Sequence, residues 1–420
     1  MKQRMESQGV PYSYLVDNIK VLLIFLVVFN HLIAFQLVKV DVVVRYVWYA
    51  ITIFHMPAFV FMSGYLSKKP QDVLRNVKNL LIPYILGYSL NWYAYIWLGK
   101  SMDYELLRPS GTVMWYVLAL FAYRLTIEAL GKVRFIVPIS IIFALWAGTR
   151  PEFTTYLSTS RIVVFFPFFV AGYLWKSDYT KIVRKFKGKW VLVPISGLLL
   201  YGIPNFMIAN EMPVDILRGN HSYQVSGMDD VTGMLIRLLM YLVSFVLVLT
   251  FLALMPDRKL PITFVGRNTM GIYFFHYPIM IVLNGLLLLS IPQTLNVWAL
   301  FGISWLFVLI LGSAPVSFIY NGILKLLTFI LFKKEKQVQD EGLEEEDDYE
   351  IMRKRKKAIE ELAATLEEET EDAGDPQEFQ ELQDALEEEN DSAEEFFDEE
   401  DFYVEEDMLT GKKDQKEQDV

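Results

Sequence analysis

The 420-residue chain contains no cysteine. That absence excludes a disulfide framework, a cysteine-ligated zinc or iron–sulfur centre and a thiol nucleophile. Histidine is nearly as scarce, with four copies. Neither a Walker-type Gly-rich loop nor a G-x-G-x-x-G turn occurs, so the usual grips for nucleoside triphosphates and NAD are missing. Acidic residues are few over the first 334 positions: 14, against 30 Lys and Arg, a net of +16. Residues 335–420 reverse the balance, with 36 acidic against 9 basic residues, a net of −27. The overall pI of ≈ 5.1 describes neither part. No nucleic-acid module is visible, and the acidic blocks argue against such a partner. No internal repeat is found.

What the chain does have is apolar length. Hydrophobic residues make up 53% and aromatics 15%, and the mean hydropathy is +0.30 although 21% of residues are charged. Apolar runs of about 20 residues recur, the length a helix needs to cross roughly 30 Å of hydrocarbon. They predict about ten spans, to within one or two: 19–38, 44–66, 80–98, 112–130, 135–148, 162–175, 190–208, 231–255, 264–289 and 296–318. A further stretch, 319–332, either extends the last span or lies in the interface. The expected fold is all-α: a polytopic transmembrane helix bundle over 1–334, then an acidic tail over 335–420. An amphipathic helix is expected at about 349–370, with Ile351, Ile359, Leu362 and Leu366 on one face; the remainder is expected to be disordered. The first run lacks a small-residue cleavage site and is expected to stay in the protein. Segments on the N-terminal side of the spans hold nineteen Lys and Arg, the opposite side seven. By the positive-inside rule both termini are cytoplasmic and the protein is multi-pass in the plasma membrane.

Ionisable residues inside spans are costly and mark functional sites. Three of the four histidines, His31, His55 and His276, fall in predicted spans. At 1.5 Å per helical residue they lie about 12, 15 and 18 Å from the nearer end of their spans, one layer near the midplane. Each also has an ordinary reading as an interhelical hydrogen-bonding group. Pro57 is expected to free a carbonyl for His55. Asn30 sits beside His31. Lys20 precedes His31 by eleven residues, three turns, and so shares its side of the helix; Asp17, three residues before Lys20, can pair with it. This is the layout of a groove that takes an anionic donor from the cytosol and delivers its reactive end to a buried base. The simpler reading of Lys20 is a snorkelling interface residue. No carboxylate shares the histidines' depth, so no metal is expected.

These residues resemble acyltransferase family 3 of integral-membrane proteins, in particular its fucose 4-O-acetylase-like branch. The family opens with a basic residue, ten intervening residues and a His; here these are Lys20 and His31, Lys20 standing where Arg is more usual. The family pattern F-H-M-P-x-F-x-x-x-S-G-Y is similar to Phe54–Tyr65, which reads FHMPAFVFMSGY. Weaker likenesses lie at Trp115–Val117, Phe165–Tyr173 and Gly266–His276, and together they extend over about 12–330. The acidic tail has no counterpart in the pattern.

The resemblance implies transfer of an acyl group, usually acetyl from acetyl-CoA, to a hydroxyl of a cell-surface carbohydrate or its lipid-linked precursor. His31 would be the general base; alternatively His31 or His55 would carry the acyl group as a nucleophile. His55, Asn30 and Ser63 would face the oxyanion. Lys20 with Asp17, Arg75, Lys78 and Arg267 would receive the phosphates of coenzyme A. Trp115, Tyr116, Ser63 and His276 would contact substrate. Membrane lipids and a carbohydrate acceptor are the expected partners. Two other classes stay open: an exporter of a surface polysaccharide or lipid-linked sugar, and a membrane anchor whose tail is the working part.

Overall fold

A computed structural model describes residues 13–36, 42–69, 72–100, 103–109, 113–186, 188–286 and 297–332. The amphipathic helix expected at about 349–370, and everything else expected of the tail, lies outside these residues. Every regular element among them is helical. Helices satisfy their own backbone groups, which a hydrocarbon surrounding demands.

Helix α1 (Tyr14–Gln36) is apolar on nearly every side, and it is buried accordingly. It packs against α2 (Val42–Tyr65), against α12 (Thr269–Gly285) and α13 (Val297–Leu311), and against a 3-10 turn at Thr263–Arg267. A short α3 (Val73–Asn76) runs through a π-helical turn (Val77–Leu81) into α4 (Ile82–Trp97). Then come α5 (Trp115–Leu130), α6 (Ile136–Ala147), α7 (Thr159–Leu174), the basic surface helix α8 (Ser177–Lys185), α9 (Lys189–Ala209), a one-turn α10 (Asp215–Arg218) and α11 (Asp230–Leu254). Helix α14 (Ala314–Leu331) ends the described part.

Among the described residues six helices are long and apolar enough to cross a membrane: α1, α2, α7 with the turn before it, α9, α11 and α14. Helices α6 and α13 are apolar but shorter. Helices α9 and α14 expose large apolar side chains, among them Trp190, Leu198, Phe318 and Phe329. A surface of that kind fits lipid tails and not water.

One predicted span is divided. The run 296–318 is not a single helix: α13 stops at Leu311 and α14 starts at Ala314. Gly312 and Ser313 break the ladder, Pro315 favours a first turn, and Asn268 Nδ2 donates to the freed Gly312 carbonyl at 2.8 Å. The run 264–289 likewise begins as the 3-10 turn, because the backbone at Gly266 lies against that of Asp17, where a Cβ would come within 2.4 Å of the Asp17 carbonyl oxygen. Asn18 secures this junction. Its amide donates to Pro256 O (2.8 Å) and Arg258 O (2.9 Å), and its Oδ1 accepts from Thr263 Oγ1 (2.7 Å).

Helices α2 and α7 run against each other in backbone contact. A Cβ on Gly172 would lie 1.9 Å from Phe61 O, and one on Gly64 would lie 2.0 Å from Phe169 O. Each helix carries an internal proline, which removes a ladder donor. Pro57 frees the carbonyl of Ile53, and it is Ser244 Oγ of α11, not His55, that donates to it, at 2.8 Å. Tyr123 OH and Tyr241 OH donate to Ile162 O and Val164 O near Pro167, at 2.8 and 2.7 Å. The local strain of two proline-bearing helices is thus taken up by neighbouring hydroxyls.

Gly172→Ala is expected to cost about 1–3 kcal/mol or more, because backbone atoms cannot retreat from the added methyl. Gly197→Ala on α9, where nothing lies within 4 Å, is the matched control and is expected to leave stability unchanged. Thermal unfolding of both variants in detergent checks this.

Candidate active site

The His31 end of α1 opens into a cavity of about 320 Å³. Its wall is Asn30, His31, Ala34 and Phe35 of α1, Thr52, His55 and Met56 of α2, Trp115, Arg161, Phe165, Leu217, Arg218 and Tyr277. Behind His31 stands His276, fully buried, with the two ring centres 5.6 Å apart; the Tyr277 ring is 5.3 Å from His31.

The backbone sets the protonation sites of two of these rings. His55 Nδ1 lies 2.8 Å from Ile51 O, and His276 Nδ1 lies 3.0 Å from Ile272 O and 2.9 Å from Tyr273 O. A carbonyl only accepts, so each neutral ring carries its hydrogen on Nδ1 and keeps Nε2 as a bare acceptor. His276 Nε2 is buried with no partner. His31 has no hydrogen-bond partner among the described residues, so either of its nitrogens can take a proton. Asn30 Nδ2 donates to Thr52 Oγ1 (3.1 Å), whose hydroxyl donates to Trp48 O (2.7 Å).

Two guanidinium groups complete this chamber. Arg161 lies 4.7 Å over the Trp115 ring, and Arg218 lies 4.8 Å over the Trp48 ring. Burial pushes Arg218 below its usual value, and the charge of Asp215, 4.0 Å away, pulls the other way.

The opposite end of the same helices holds a second cavity of about 170 Å³. Lys20, Ser63, Tyr116, Arg124, Arg267 and Tyr273 line it, with Leu23, Phe59, Met62 and other apolar residues. A fully buried carboxylate organises its cations: Asp17 Oδ1 is 2.7 Å from Lys20 Nζ and Asp17 Oδ2 is 3.9 Å from Arg267 Nε. Arg124 Nε donates to Ser67 Oγ at 3.3 Å. Ser63 Oγ donates to Phe59 O (2.8 Å) and receives the Tyr116 hydroxyl at 2.5 Å.

The partition between the two chambers is thin. On α2 it falls between Met56 and Phe59, on α5 between Trp115 and Tyr116, and on α12 between Tyr277 and Tyr273. On these three helices that is at most about one turn, roughly 6 Å, whereas on α1 the gap from Leu23 to Asn30 is about two turns, roughly 10 Å. Aromatic rings build it: Tyr116 stacks edgewise on Phe59 at 5.0 Å and on Tyr273 at 5.5 Å, and the Tyr273 hydroxyl donates to Val113 O.

The residues singled out in the sequence therefore fall into three groups. Asn30, His31, His55 and Trp115 line the first chamber, with His276 directly behind. Lys20, Arg267, Ser63 and Tyr116 line the second, with Asp17 beneath. Arg75 is exposed, and Lys78 lies 5.1 Å over the Phe332 ring; neither lines either chamber. Three arginines were missed. Arg124 and Arg161 interrupt or border apolar runs, so the rule that picked the histidines would have found them. Arg218 carries no such signal, because it and its neighbour Leu217 lie outside the predicted spans, more than fifty residues along the chain from the other lining residues.

Asp17→Asn is expected to cost about 1–3 kcal/mol, since it leaves Lys20 without the carboxylate that offsets its burial. Thermal unfolding in detergent measures it, and Asn18→Ala, which removes three hydrogen bonds at the same junction but no charge, is expected to destabilise as well.

No curated protein and no solved structure matches the chain. A family pattern described as an acyltransferase domain does match, over residues 13–321, which takes in both chambers and about three-quarters of the sequence. On that match the chain, an all-helical protein with membrane-spanning helices, belongs to acyltransferase family 3.

Proposed function

We propose that this membrane acyltransferase moves an acetyl group from acetyl-CoA to a hydroxyl of a cell-surface carbohydrate or its lipid-linked precursor, with His31 as general base. The observation that carries the reading is the pair of chambers on shared helices, one lined by Lys20, Arg124 and Arg267, the other by His31. Anionic phosphates suit the first, and a neutral hydroxyl acceptor needs the second. Lys20 and His31 are about 16 Å apart along α1, a gap for the donor's extended arm to bridge. The run Phe54–Tyr65 supports the fucose 4-O-acetylase-like branch. The excess of Lys and Arg on the Lys20 side supports a cytoplasmic donor entrance, cytoplasmic termini and a plasma-membrane setting.

In this scheme the thioester carbonyl reaches through the aromatic partition to His31. His31 takes the proton of the acceptor hydroxyl as its oxygen attacks the carbonyl carbon. The tetrahedral intermediate then collapses, the carbon–sulfur bond breaks, and the thiolate leaves with the proton from His31. The Nδ1 hydrogens of His55 and His276 are committed to backbone carbonyls, so neither ring donates to the oxyanion; the Nε2 of His55, which lines the chamber, accepts a hydrogen bond from substrate, and His276 stands behind His31 out of reach. Asn30 retains a second amide hydrogen beyond the one given to Thr52, and that donor faces the developing charge. Arg75 and Lys78 have no part in this scheme.

The purified full chain in lipid nanodiscs, given acetyl-CoA and envelope glycan, is expected to release free thiol and yield acetylated product by mass analysis. His31→Ala is expected to lower turnover by about 10²–10⁴-fold with the melting temperature unchanged. Sugar movement across the membrane without any acetyl transfer would sink the reading in favour of an exporter. Lys20→Gln and Arg267→Gln are each expected to raise KM for acetyl-CoA about tenfold, more than they lower kcat, the mark of lost phosphate contacts.

A further inference from the structure

The His31 chamber contains more positive charge than the reaction described above requires. Arg161 and Arg218 both line it, and no Asp or Glu does. Arg161 is only 8% exposed, yet among the described residues it has neither a hydrogen bond nor an ion pair, and its Nε is buried without a partner. The charge of Arg218 repels it, and the charge of Asp215 offsets part of that repulsion. Burying an unpaired guanidinium is costly unless something completes it.

Several other cations of the bundle have partners within it, although Arg237 Nε, like Arg161 Nε, is buried without one. Arg237 donates to Ala144 O at 3.1 Å. Lys68 donates to the carbonyls of Tyr173 and Trp175. Lys20 has Asp17. Arg161 is the one of these that lines the His31 cavity, and its setting is that of a prepared ligand contact. Trp115 and Trp48 hold the two guanidinium groups by their faces; the N–H edge of Arg161 is left free, while Arg218 Nη1 lies 4.0 Å from Asp215 Oδ1. A planar fork of that kind matches the oxygens of a carboxylate or phosphate. The donor's phosphates have their own cations on the far side of the partition, so the anion served here belongs to the acceptor.

We propose that the acceptor is itself anionic: a sugar or polyol bearing a phosphate or carboxylate near the hydroxyl that is acylated. Arg161 and Arg218 grip the anion and so present the hydroxyl to His31. The inference rests on the acyl-transfer reading and names the substrate class for it.

The test uses the full chain in phosphatidylcholine nanodiscs with glucose, glucose 6-phosphate and glucuronate. Binding without donor is read by thermal shift, and transfer is read with acetyl-CoA. Stabilisation by either anion, and kcat/KM at least about tenfold above glucose, is the expected result; the better of the two identifies phosphate or carboxylate. Arg161→Gln and Arg218→Gln bring the anion-to-neutral ratio close to one. Arg161→Lys, which keeps charge without the fork, restores part of it. Equal binding and transfer of glucose and the anions overturns the proposal. So do arginine variants that slow all acceptors alike with the ratio preserved, the pattern of an oxyanion role, or that raise KM for acetyl-CoA alone. Anion binding that depends on both arginines, with no thioester turnover on any acceptor, supports the anion site and overturns the acyl-transfer reading. Turnover indifferent to acceptor charge overturns the anion site only.

Discussion

The contact between α2 and α7 is the constraint on which the site depends. Gly64 and Gly172 let the two backbones meet with no side chain between them, carbonyl oxygen against Cα. In lipid there is no hydrophobic force to drive helices together, so close packing of small residues takes its place. A backbone contact also fixes the rotation and height of both helices, and with them every residue they carry. His55 lies nine residues before Gly64 and Arg161 eleven before Gly172, about 14 and 17 Å along the two helices. Their meeting in one cavity follows from a contact more than two turns away. The prolines and the hydroxyls of Tyr123, Tyr241 and Ser244 then settle the backbone in between.

Charge is distributed by the same logic of scarcity. An ionisable group among spanning helices needs a partner, a backbone carbonyl or a wet cavity. Asp17 holds two cations at one mouth, and Arg237 and Lys68 use carbonyls. The chamber at the other mouth is built of rings and cations with no carboxylate, a composition that leaves room for an anion from outside the protein. The partition between the mouths is aromatic, and about one turn thick on α2, α5 and α12. A reaction that joins a donor from one side to an acceptor on the other requires that the two be kept apart until they meet at a single group, and His31 sits where they would.

The helical character, the membrane setting and the link between Lys20 and His31 were legible in the sequence, since each depends on local spacing: run length for a span, eleven residues for three turns. The three histidines were legible as a layer because depth is also counted along the chain. The thin partition was not, because it depends on how α2, α5 and α12 align with one another. Nor was the break at Gly312, where an apolar run looks continuous although Asn268, 44 residues away, takes its carbonyl. The same holds for the carbonyl freed by Pro57, which the sequence offers to His55 and the packing hands to Ser244.

By itself, then, the amino-acid order determined which segments are helices, that they belong in lipid, and which turn of α1 carries a histidine and which a lysine. Only the tertiary structure decided that Arg161 and Arg218 share a chamber with His31, that Ser63 and Tyr116 face the other chamber, and that Arg75 and Lys78 line neither. The reason is physical. Hydropathy and helical period act between neighbours a few residues apart, whereas a cavity wall is assembled by close packing between segments separated by up to about 250 positions, and charge or aromatic content alone does not reveal which of those segments will touch.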